Sequence, residues 1–195
     1  MLPSALLVSA YAGGWFPMAV ETGEIRWYSP DPRGILPLED FHIPRRLARA
    51  IRSSTFEIEI NRDFGAVIRA CAGRRRHDRD SGTWINREIL ESYEALHAEG
   101  LAHSIEVRRE GALVGGLYGV SLRGAFFGES MFHTATDASK VALAALVDRL
   151  VARGYALLDI QWVTDHLSQF GAIEIPRDDY LRRLDGAMSL SCEFV

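Results

Sequence analysis

The sequence has almost no lysine. Of its 22 basic residues, 21 are arginines and only Lys140 is a lysine. Arginine forms bidentate contacts with phosphate and stacks on nucleic-acid bases. GC-rich coding DNA also replaces lysine with arginine, so the ratio has two explanations, and only the first bears on function.

Cysteine is scarce as well, and no metal motif is present. Cys71 and Cys192 are the two cysteines and form no CxxC pair, which excludes a disulfide framework. The six histidines are scattered without an HExxH motif, and the sequence has neither a P-loop nor a GxSxG nucleophile motif. We therefore predict no metal and no cofactor.

No hydrophobic run approaches the roughly 20 apolar residues of a membrane-spanning helix. The N-terminus also has no basic region before its apolar residues, as a signal peptide would have. We therefore predict a cytoplasmic protein without a membrane partner.

The charge of the chain differs between its segments. A net charge of −4 and a pI near 5.9 argue against nucleic acid as a partner. The segment 45–79, however, contains ten arginines and four acidic residues, which gives it a local charge of +6. The average therefore conceals a basic segment beside an acidic remainder.

The spacing of apolar residues predicts an α/β protein. Three antiparallel strands, 104–108, 112–121 and 125–130, are followed by a long helix over 137–152 and a strand over 155–161. This order resembles a GNAT-like acyltransferase core. We assign a small N-terminal domain to residues 1–38 and the GNAT-like catalytic domain to residues 39–195.

Local signals predict further details. Phe56, Ile58 and Ile60 alternate with glutamates, which predicts a strand with one solvent-exposed face. Thr136 or Asp137 is placed to cap the long helix. The glycines of segment 115–119 lie inside a strand, where a bulge or a close backbone approach explains them better than a phosphate-binding loop does.

The helix over 137–152 is apolar on nearly every side. Such a helix is buried all round, and a position in the centre of the core explains this composition. Alternatively, one flank lines an apolar pocket together with Leu117, Phe126 and Leu158.

Polar and aromatic residues mark the remaining candidate sites. Asp159 and Gln161 lie two apart at the end of a strand, so alternation predicts that they share a face, at an edge where open α/β sheets bind ligands. A structural pair that caps the sheet is the alternative. Glu129 lies at the end of the third predicted strand, and aromatic residues such as Trp84 either stack on a base or belong to the core.

Short motifs run through nearly the whole chain. They are GWFPM at 14–18, WYSPDPRG at 27–34, FHIPR at 41–45, TWI at 83–85, HSIE at 103–106, VGGLYG at 114–119, FGESMF at 127–132, ASK at 138–140, DIQ at 159–161, HL at 166–167 and FGAIEIPR at 170–177. In this order they resemble the leucyl/phenylalanyl-tRNA–protein transferase family.

The resemblance implies an enzyme that moves Leu or Phe, with Met as a third candidate, from aminoacyl-tRNA to a protein. The acceptor would be the α-amine of a protein beginning with Lys or Arg, which the transfer marks for N-end rule degradation. The resemblance implies no cofactor, and we expect a monomer. It also implies a shortened N-terminal domain, and Met18 stands where some members have Trp, which would weaken a contact with adenosine.

The resemblance also implies a role for individual residues. Gln161 would hold the attacking amine, and Asp159 would orient Gln161. Glu129 and Ser130 would bind the acceptor N-terminus. The implied aminoacyl pocket consists of Leu117, Phe126, Leu143, Leu146, Leu150 and Leu158. The implied contacts with the 3′-terminal adenosine are Tyr11, Trp84 and Tyr93. The implied contacts with tRNA phosphates are Arg45, Arg46, Arg49, Arg52, Arg74, Arg75 and Arg76.

Two other functions stay open at this point. An acetyl-CoA-dependent N-acetyltransferase would share the core, but the segment 132–137 between strand and helix lacks the glycines that bind a pyrophosphate. A non-catalytic RNA-binding module would explain the basic segment alone.

Overall fold

The computed structural model describes residues 1–53, 55–73 and 83–195, and within these ranges the chain forms seven helices and nine strands. The helices are α1 (Ser4–Ala12), α2 (Arg45–Arg52), α3 (Phe64–Ala72), α4 (Arg87–Ala98), α5 (Ala138–Ala152), α6 (Asp165–Ser168) and α7 (Arg177–Met188). The strands are β1 (Phe16–Ala19), β2 (Ile25–Tyr28), β3 (Arg33–Ile35), β4 (Glu57–Ile60), β5 (Ala102–Arg109), β6 (Ala112–Leu122), β7 (Ala125–His133), β8 (Leu157–Gln161) and β9 (Ile173–Ile175).

Seven of these strands form one mixed sheet in the order β4-β5-β6-β7-β8-β3-β9, and β1 and β2 form a separate hairpin. Strands β5, β6 and β7 are antiparallel to one another, and β8 is parallel to β7 after the crossover through α5. The predicted α/β class and the predicted order of three antiparallel strands, a helix and a further strand are confirmed. The short strands β1 and β9 are additions to that prediction.

The sheet has an apolar core on each face. One cluster combines β-strand residues with α1, α3, α4 and α7, and includes Leu7, Ile68 and Leu184. The other surrounds α5 and includes Leu143 and Leu146. Because α1 packs in the first cluster and β3 pairs within the large sheet, the elements before residue 39 join the body of the protein. The boundary between residues 38 and 39 stays a prediction.

Helix α5 lies close against the sheet because β6 has a glycine at the crossing point. A Cβ atom on Gly115 would lie 2.6 Å from the Cβ of Ala138, at the start of α5. This distance is too short for any side chain, so the predicted close backbone approach is confirmed at Gly115. The start of α5 is thereby fixed beside β6.

Two local predictions were wrong. Asp137 precedes α5 in a left-handed conformation (φ 67°) and makes no capping hydrogen bond. Its carboxylate instead pairs with Lys140 at 3.0 Å and with Arg46 at 3.5 Å. The strand predicted around Ile58 is present as β4, but its expected alternation of buried and exposed faces fails, because β4 is an edge strand and Ile58 remains 46% exposed.

Among the described residues, none of the helices combines the length and the apolar character needed to span a bilayer. The same residues contain no group of three or more histidine, cysteine, aspartate or glutamate side chains arranged to hold a metal ion.

Candidate active site

A cavity opens where strands β7 and β8 stop pairing. Their parallel ladder covers only residues 125–127 of β7 and 157–159 of β8. The residues that follow on each strand, 128–131 and 160–162, line a cavity of about 690 Å³. This volume lies in the range of sites for small molecules and cofactors.

The cavity wall draws on both core clusters and therefore has two chemically different parts. We call the part beside α5 the apolar lobe; it is lined by Leu117, Leu143, Leu146, Leu158 and Ile160. We call the part on the other face of the sheet the polar lobe; it is lined by Glu129, Tyr118, Trp84, Met18 and Cys71. Gln161 also lines the cavity.

Glu129 is aimed into the cavity by a β-bulge. In the ladder between β6 and β7, Tyr118 pairs with Ser130 and Gly119 with Gly128, so Glu129 is the extra residue. A bulge of this kind interrupts the alternation of a strand and redirects a side chain. The Glu129 carboxylate accepts hydrogen bonds from the hydroxyls of Tyr11 (2.7 Å) and Tyr93 (3.3 Å), which also contact each other.

The environment of Glu129 favours its protonated form. Loss of solvent in the cavity wall raises the pKa of Glu129 to about 8, and the negative charge of Asp159 adds to this effect. The hydrogen bonds from Tyr11 and Tyr93 and the positive charge of Arg33 oppose it. A cation that docks beside Glu129 would stabilise the carboxylate and expel the proton.

Asp159 belongs to a buried charge cluster behind the cavity. Arg33 donates from Nε to Oδ1 at 2.9 Å and from a terminal nitrogen to Oδ2 at 2.6 Å, and the hydroxyl of Tyr180 donates to Oδ2 at 2.8 Å. Arg33 and Asp159 are both at most 1% exposed. Burial lowers the pKa of Arg33, but the adjacent Asp159 more than compensates and the pKa is raised. The Arg33 guanidinium therefore keeps its positive charge beside Asp159.

The backbone of Gln161 forms a strained turn at the cavity. Gln161 has a positive φ of 60°, and the N–H of Trp162 donates to the carbonyl of Ile160 at 2.7 Å. A hydrogen bond between residues two apart around a positive φ defines a classic γ-turn, which is rare and strained. The Gln161 N–H donates to Oδ1 of Asp159 at 2.9 Å. The charge cluster therefore holds this turn in place.

The motif around Arg33 supports the same turn from the neighbouring strand. Gly34 on β3 pairs with Gln161 on β8, and a Cβ atom on Gly34 would lie 2.7 Å from the carbonyl carbon of Trp162. Any larger residue at position 34 would displace the turn. The Arg33-Gly34 pair thus supplies both the counter-ion for Asp159 and the space for Gln161.

The prediction that Asp159 and Gln161 share a face of the strand at the ligand site does not describe the cavity. Gln161 lines it, whereas Asp159 is fully buried behind it. The γ-turn ends the alternation of β8 at Gln161. Strand periodicity could not foresee this, because the turn depends on contacts with β3.

The remaining predicted residues divide into those that line the cavity and those that do not. Leu117, Leu143, Leu146, Leu158, Glu129, Ser130 and Trp84 line it. Phe126 and Leu150 are fully buried and are not part of its wall, and Phe126 instead stacks on Phe194 with ring centroids 5.2 Å apart.

Tyr11 and Tyr93, two of the implied contacts with the 3′-terminal adenosine, do not line the cavity. Both rings are fully buried outside the cavity wall, and only their hydroxyls reach Glu129. These hydrogen bonds hold the Glu129 carboxylate in place. Trp84, the third implied contact, lines the cavity.

Four of the predicted phosphate contacts lie together on α2. Arg45, Arg46, Arg49 and Arg52 are all exposed, and Arg46 pairs with Asp137 at the start of α5. Ser139, on the first turn of α5, lines the cavity, so α2 lies near its mouth. Arg74, Arg75 and Arg76 lie outside the described residues.

Comparison with known proteins matches this chain to one family over most of its length. The family model described as "Leucyl/phenylalanyl-tRNA protein transferase" matches residues 35–185, and the model of that family's N-terminal domain matches residues 1–31. A protein of Cereibacter sphaeroides named leucyl/phenylalanyl-tRNA–protein transferase is 55% identical over 99% of this chain and 88% of its own length. A protein of the same name from Gloeobacter violaceus is 52% identical over 99% of this chain and 97% of its own length.

Among solved structures, a ribosomal-protein-alanine N-acetyltransferase from Brucella melitensis biovar Abortus is similar with a TM-score of 0.41 and 17% identity, over 59% of this chain and 85% of its own. The two family models and the relatives of 52–55% identity decide the assignment. The chain belongs to the leucyl/phenylalanyl-tRNA protein transferase family.

Proposed function

We propose that this enzyme transfers Leu or Phe from aminoacyl-tRNA to the α-amine of proteins that begin with Lys or Arg. The reaction takes place in the cytoplasm, requires no membrane, is carried out by a monomer and marks the acceptor for N-end rule degradation. The observation that carries the proposal is a single cavity with an apolar lobe and a carboxylate-bearing lobe, beside a fixed glutamine.

The apolar lobe suits the uncharged, medium-sized side chain of the aminoacyl group. Leu143 and Leu146 from α5 face Leu117 and Leu158 from the sheet, and these side chains offer only apolar contacts. A pocket of this kind distinguishes aliphatic side chains that differ by a methylene by about 1–3 kcal/mol. Leu, Phe and Met all match its chemistry, and charged side chains would be excluded by their desolvation cost.

The polar lobe suits a cationic N-terminal residue. Glu129 is the carboxylate in its wall, and Ser130 beside it adds a hydroxyl. A guanidinium or ammonium group near Glu129 would replace the proton that this carboxyl group holds at neutral pH. The site thus favours acceptors that begin with Arg or Lys over neutral ones.

Between the two lobes, Gln161 is placed to handle the attacking amine. Its side-chain carbonyl would accept a hydrogen bond from the neutral α-amine as the nitrogen attacks the ester carbon. A C–N bond forms, the ester C–O bond breaks, and the 3′ oxygen of the tRNA leaves with a proton originally on the amine. The ester is already activated, so bringing amine and ester to attack distance supplies most of the acceleration. Asp159 acts through the backbone of Gln161.

The surface of α2 is the proposed contact with the tRNA. In the described part of the chain, Arg45, Arg49 and Arg52 form no ion pair with an acidic residue, which leaves them available for phosphate. Contacts with the phosphate backbone are largely independent of sequence and sensitive to salt. Trp84 in the cavity wall is the proposed contact with the terminal adenosine.

The proposed function is tested by a transfer assay that uses labelled Leu-tRNA and labelled Phe-tRNA in parallel, with a peptide that begins with Arg as the acceptor. Label should appear in the peptide with either donor, and no acetyl group should be transferred from acetyl-CoA. Binding of charged and uncharged tRNA without transfer would show an RNA-binding module instead. Transfer from acetyl-CoA alone would show an acetyltransferase.

Acceptor binding should depend on pH through Glu129. Because its pKa is about 8 in the free site, a cationic acceptor must displace a proton below pH 8 and none above it. The KM for an Arg-starting peptide should therefore fall about tenfold per pH unit between pH 6 and 8 and then level off. Glu129→Gln should remove this pH dependence of KM and leave only the pH dependence that comes from the acceptor's own α-amine. An unchanged pH profile of KM in Glu129→Gln would contradict this role.

Removing arginines from α2 should weaken tRNA binding in a salt-dependent way. Arg49→Ala combined with Arg52→Ala should lower the slope of log K against log salt by about one unit per arginine. The matched control is Arg182→Ala, an exposed arginine on α7 that pairs with Asp179. Equal slopes for the double variant, the control and the wild type would place the tRNA on another surface. The measurement is tRNA binding by fluorescence anisotropy from 50 to 300 mM salt.

A further inference from the structure

The hydroxyl of Tyr118 is buried at the cavity without a hydrogen-bond partner. Tyr118 is 0% exposed and lines the cavity, and its hydroxyl oxygen finds no partner among the described residues. A buried hydroxyl without a partner costs free energy relative to water. Such a group is therefore expected to meet a partner in the working state of the protein.

The other buried tyrosines all have partners for their hydroxyls. Tyr11 and Tyr93 donate to Glu129, Tyr180 donates to Asp159, and Tyr155 bonds Ser121 at 2.6 Å. The Tyr118 ring is also held edge-on against Tyr93 and Phe64, with centroids 5.7 Å away in each case. The packing thus fixes the ring of Tyr118 but leaves its hydroxyl unused.

Tyr118 belongs to the polar lobe. It stands opposite Ser130 in the ladder, next to the bulge that carries Glu129. Burial and then the charge of Glu129 raise the pKa of Tyr118, so its hydroxyl keeps its proton and is available as a donor. A ligand group that accepts a hydrogen bond would therefore complete this site.

A cationic N-terminal residue offers one strong acceptor beside its positive charge, the carbonyl oxygen of its first peptide bond. Once Glu129 is ionised, its carboxylate can only accept hydrogen bonds, here from the cation. A second group must therefore donate a hydrogen bond to this carbonyl oxygen. We propose that Tyr118 is an acceptor-binding residue whose hydroxyl donates to that carbonyl oxygen. The assignment rests on the proposed function, because it requires an acceptor protein in the polar lobe.

The variant Tyr118→Phe tests this assignment, because it removes only the hydroxyl. The KM for an Arg-starting peptide should rise about 5- to 20-fold, as for the loss of one hydrogen bond, while the KM for Leu-tRNA stays within twofold. The melting temperature should stay equal or rise, because the variant removes an unpaired buried polar atom. The control Tyr155→Phe deletes a paired hydroxyl outside the cavity, and should lower the melting temperature without changing either KM.

Three results would overturn the assignment. They are an unchanged KM for the peptide, a rise in the KM for Leu-tRNA instead, or a lower melting temperature as the sole effect of Tyr118→Phe. If the wild type transfers to the Arg-starting peptide, any of these results overturns the role of Tyr118 but does not contradict the proposed function. A wild-type protein that transfers nothing to the Arg-starting peptide overturns the proposed function and the assignment together.

Discussion

Replacing Arg33 with methionine is expected to destabilise the protein by about 3–5 kcal/mol, because it leaves the Asp159 carboxylate buried without its counter-ion. The two side chains are at most 1% exposed and share two hydrogen bonds. For a chain of this length, such a loss corresponds to a fall in melting temperature of about 10 °C. Transfer should fall as well, since Asp159 anchors the turn at Gln161. The measurements are thermal unfolding and the transfer assay.

A second variant separates the charge effect from the loss of packing. Combining Arg33→Met with Asp159→Asn removes both charges and should recover part of the lost stability, while transfer stays low. Arg182→Met, which changes an exposed arginine paired with Asp179, should alter stability by less than about 0.5 kcal/mol. If Arg33→Met is as stable as this control, the buried pair does not hold the site as described.

Replacing Gln161 with glycine is expected to lower transfer by roughly 10²-fold or more without a loss of stability. The side chain that handles the amine is removed, but glycine adopts the positive φ of 60° at this position without strain. Gln161→Ala should lose the same activity but remain less stable than Gln161→Gly, because alanine keeps the Cβ atom that disfavours this conformation in the wild type as well. The pair of variants therefore separates the chemical role of Gln161 from its backbone role.

The matched control is Gln169→Ala, which removes an exposed glutamine after α6 and should leave the rate of transfer within twofold of wild type. Single-turnover transfer from Leu-tRNA measures the chemical step directly. Wild-type rates in Gln161→Gly would exclude Gln161 as the group that handles the amine. A large fall in the melting temperature of Gln161→Gly would instead contradict the presence of a strained turn at this position.

Much of the fold follows from local sequence signals. The Asp63 side chain caps α3 by accepting from Ala66 at 2.9 Å, and positive φ values at Gly100 and Gly154 accompany the ends of α4 and α5, where the sequence favours a stop. The succession of three antiparallel strands, a helix and a strand along the chain follows from the spacing of the apolar residues. The strands β1 and β9 could not be predicted in this way, because segments of three or four residues are defined by their partners and not by their own pattern.

The site was only partly visible in the sequence. Gln161 could be found by its place at a strand end, and the leucines of the apolar lobe by the apolar character of α5. Glu129 was expected at a strand end as well, but β7 continues to His133 and a bulge inside the strand exposes this carboxylate. Arg33 and Tyr180 could not, since each meets Asp159 from more than 20 residues away and an arginine in a Pro-Arg-Gly turn gives no sign of burial. The buried positions of Tyr11 and Tyr93 were likewise set by packing that no local pattern records.

The proposed function requires that one cavity bring an apolar aminoacyl group and a cationic N-terminus together, with Glu129 selecting the cation. The most direct measurement compares kcat/KM for peptides that begin with Lys or with norleucine, which has a similar length but no charge. The wild type should prefer Lys by tenfold or more at pH 8.5, where Glu129 is mostly ionised, and Glu129→Gln should lose most of that preference. An equal preference for Lys in both proteins would contradict the claim.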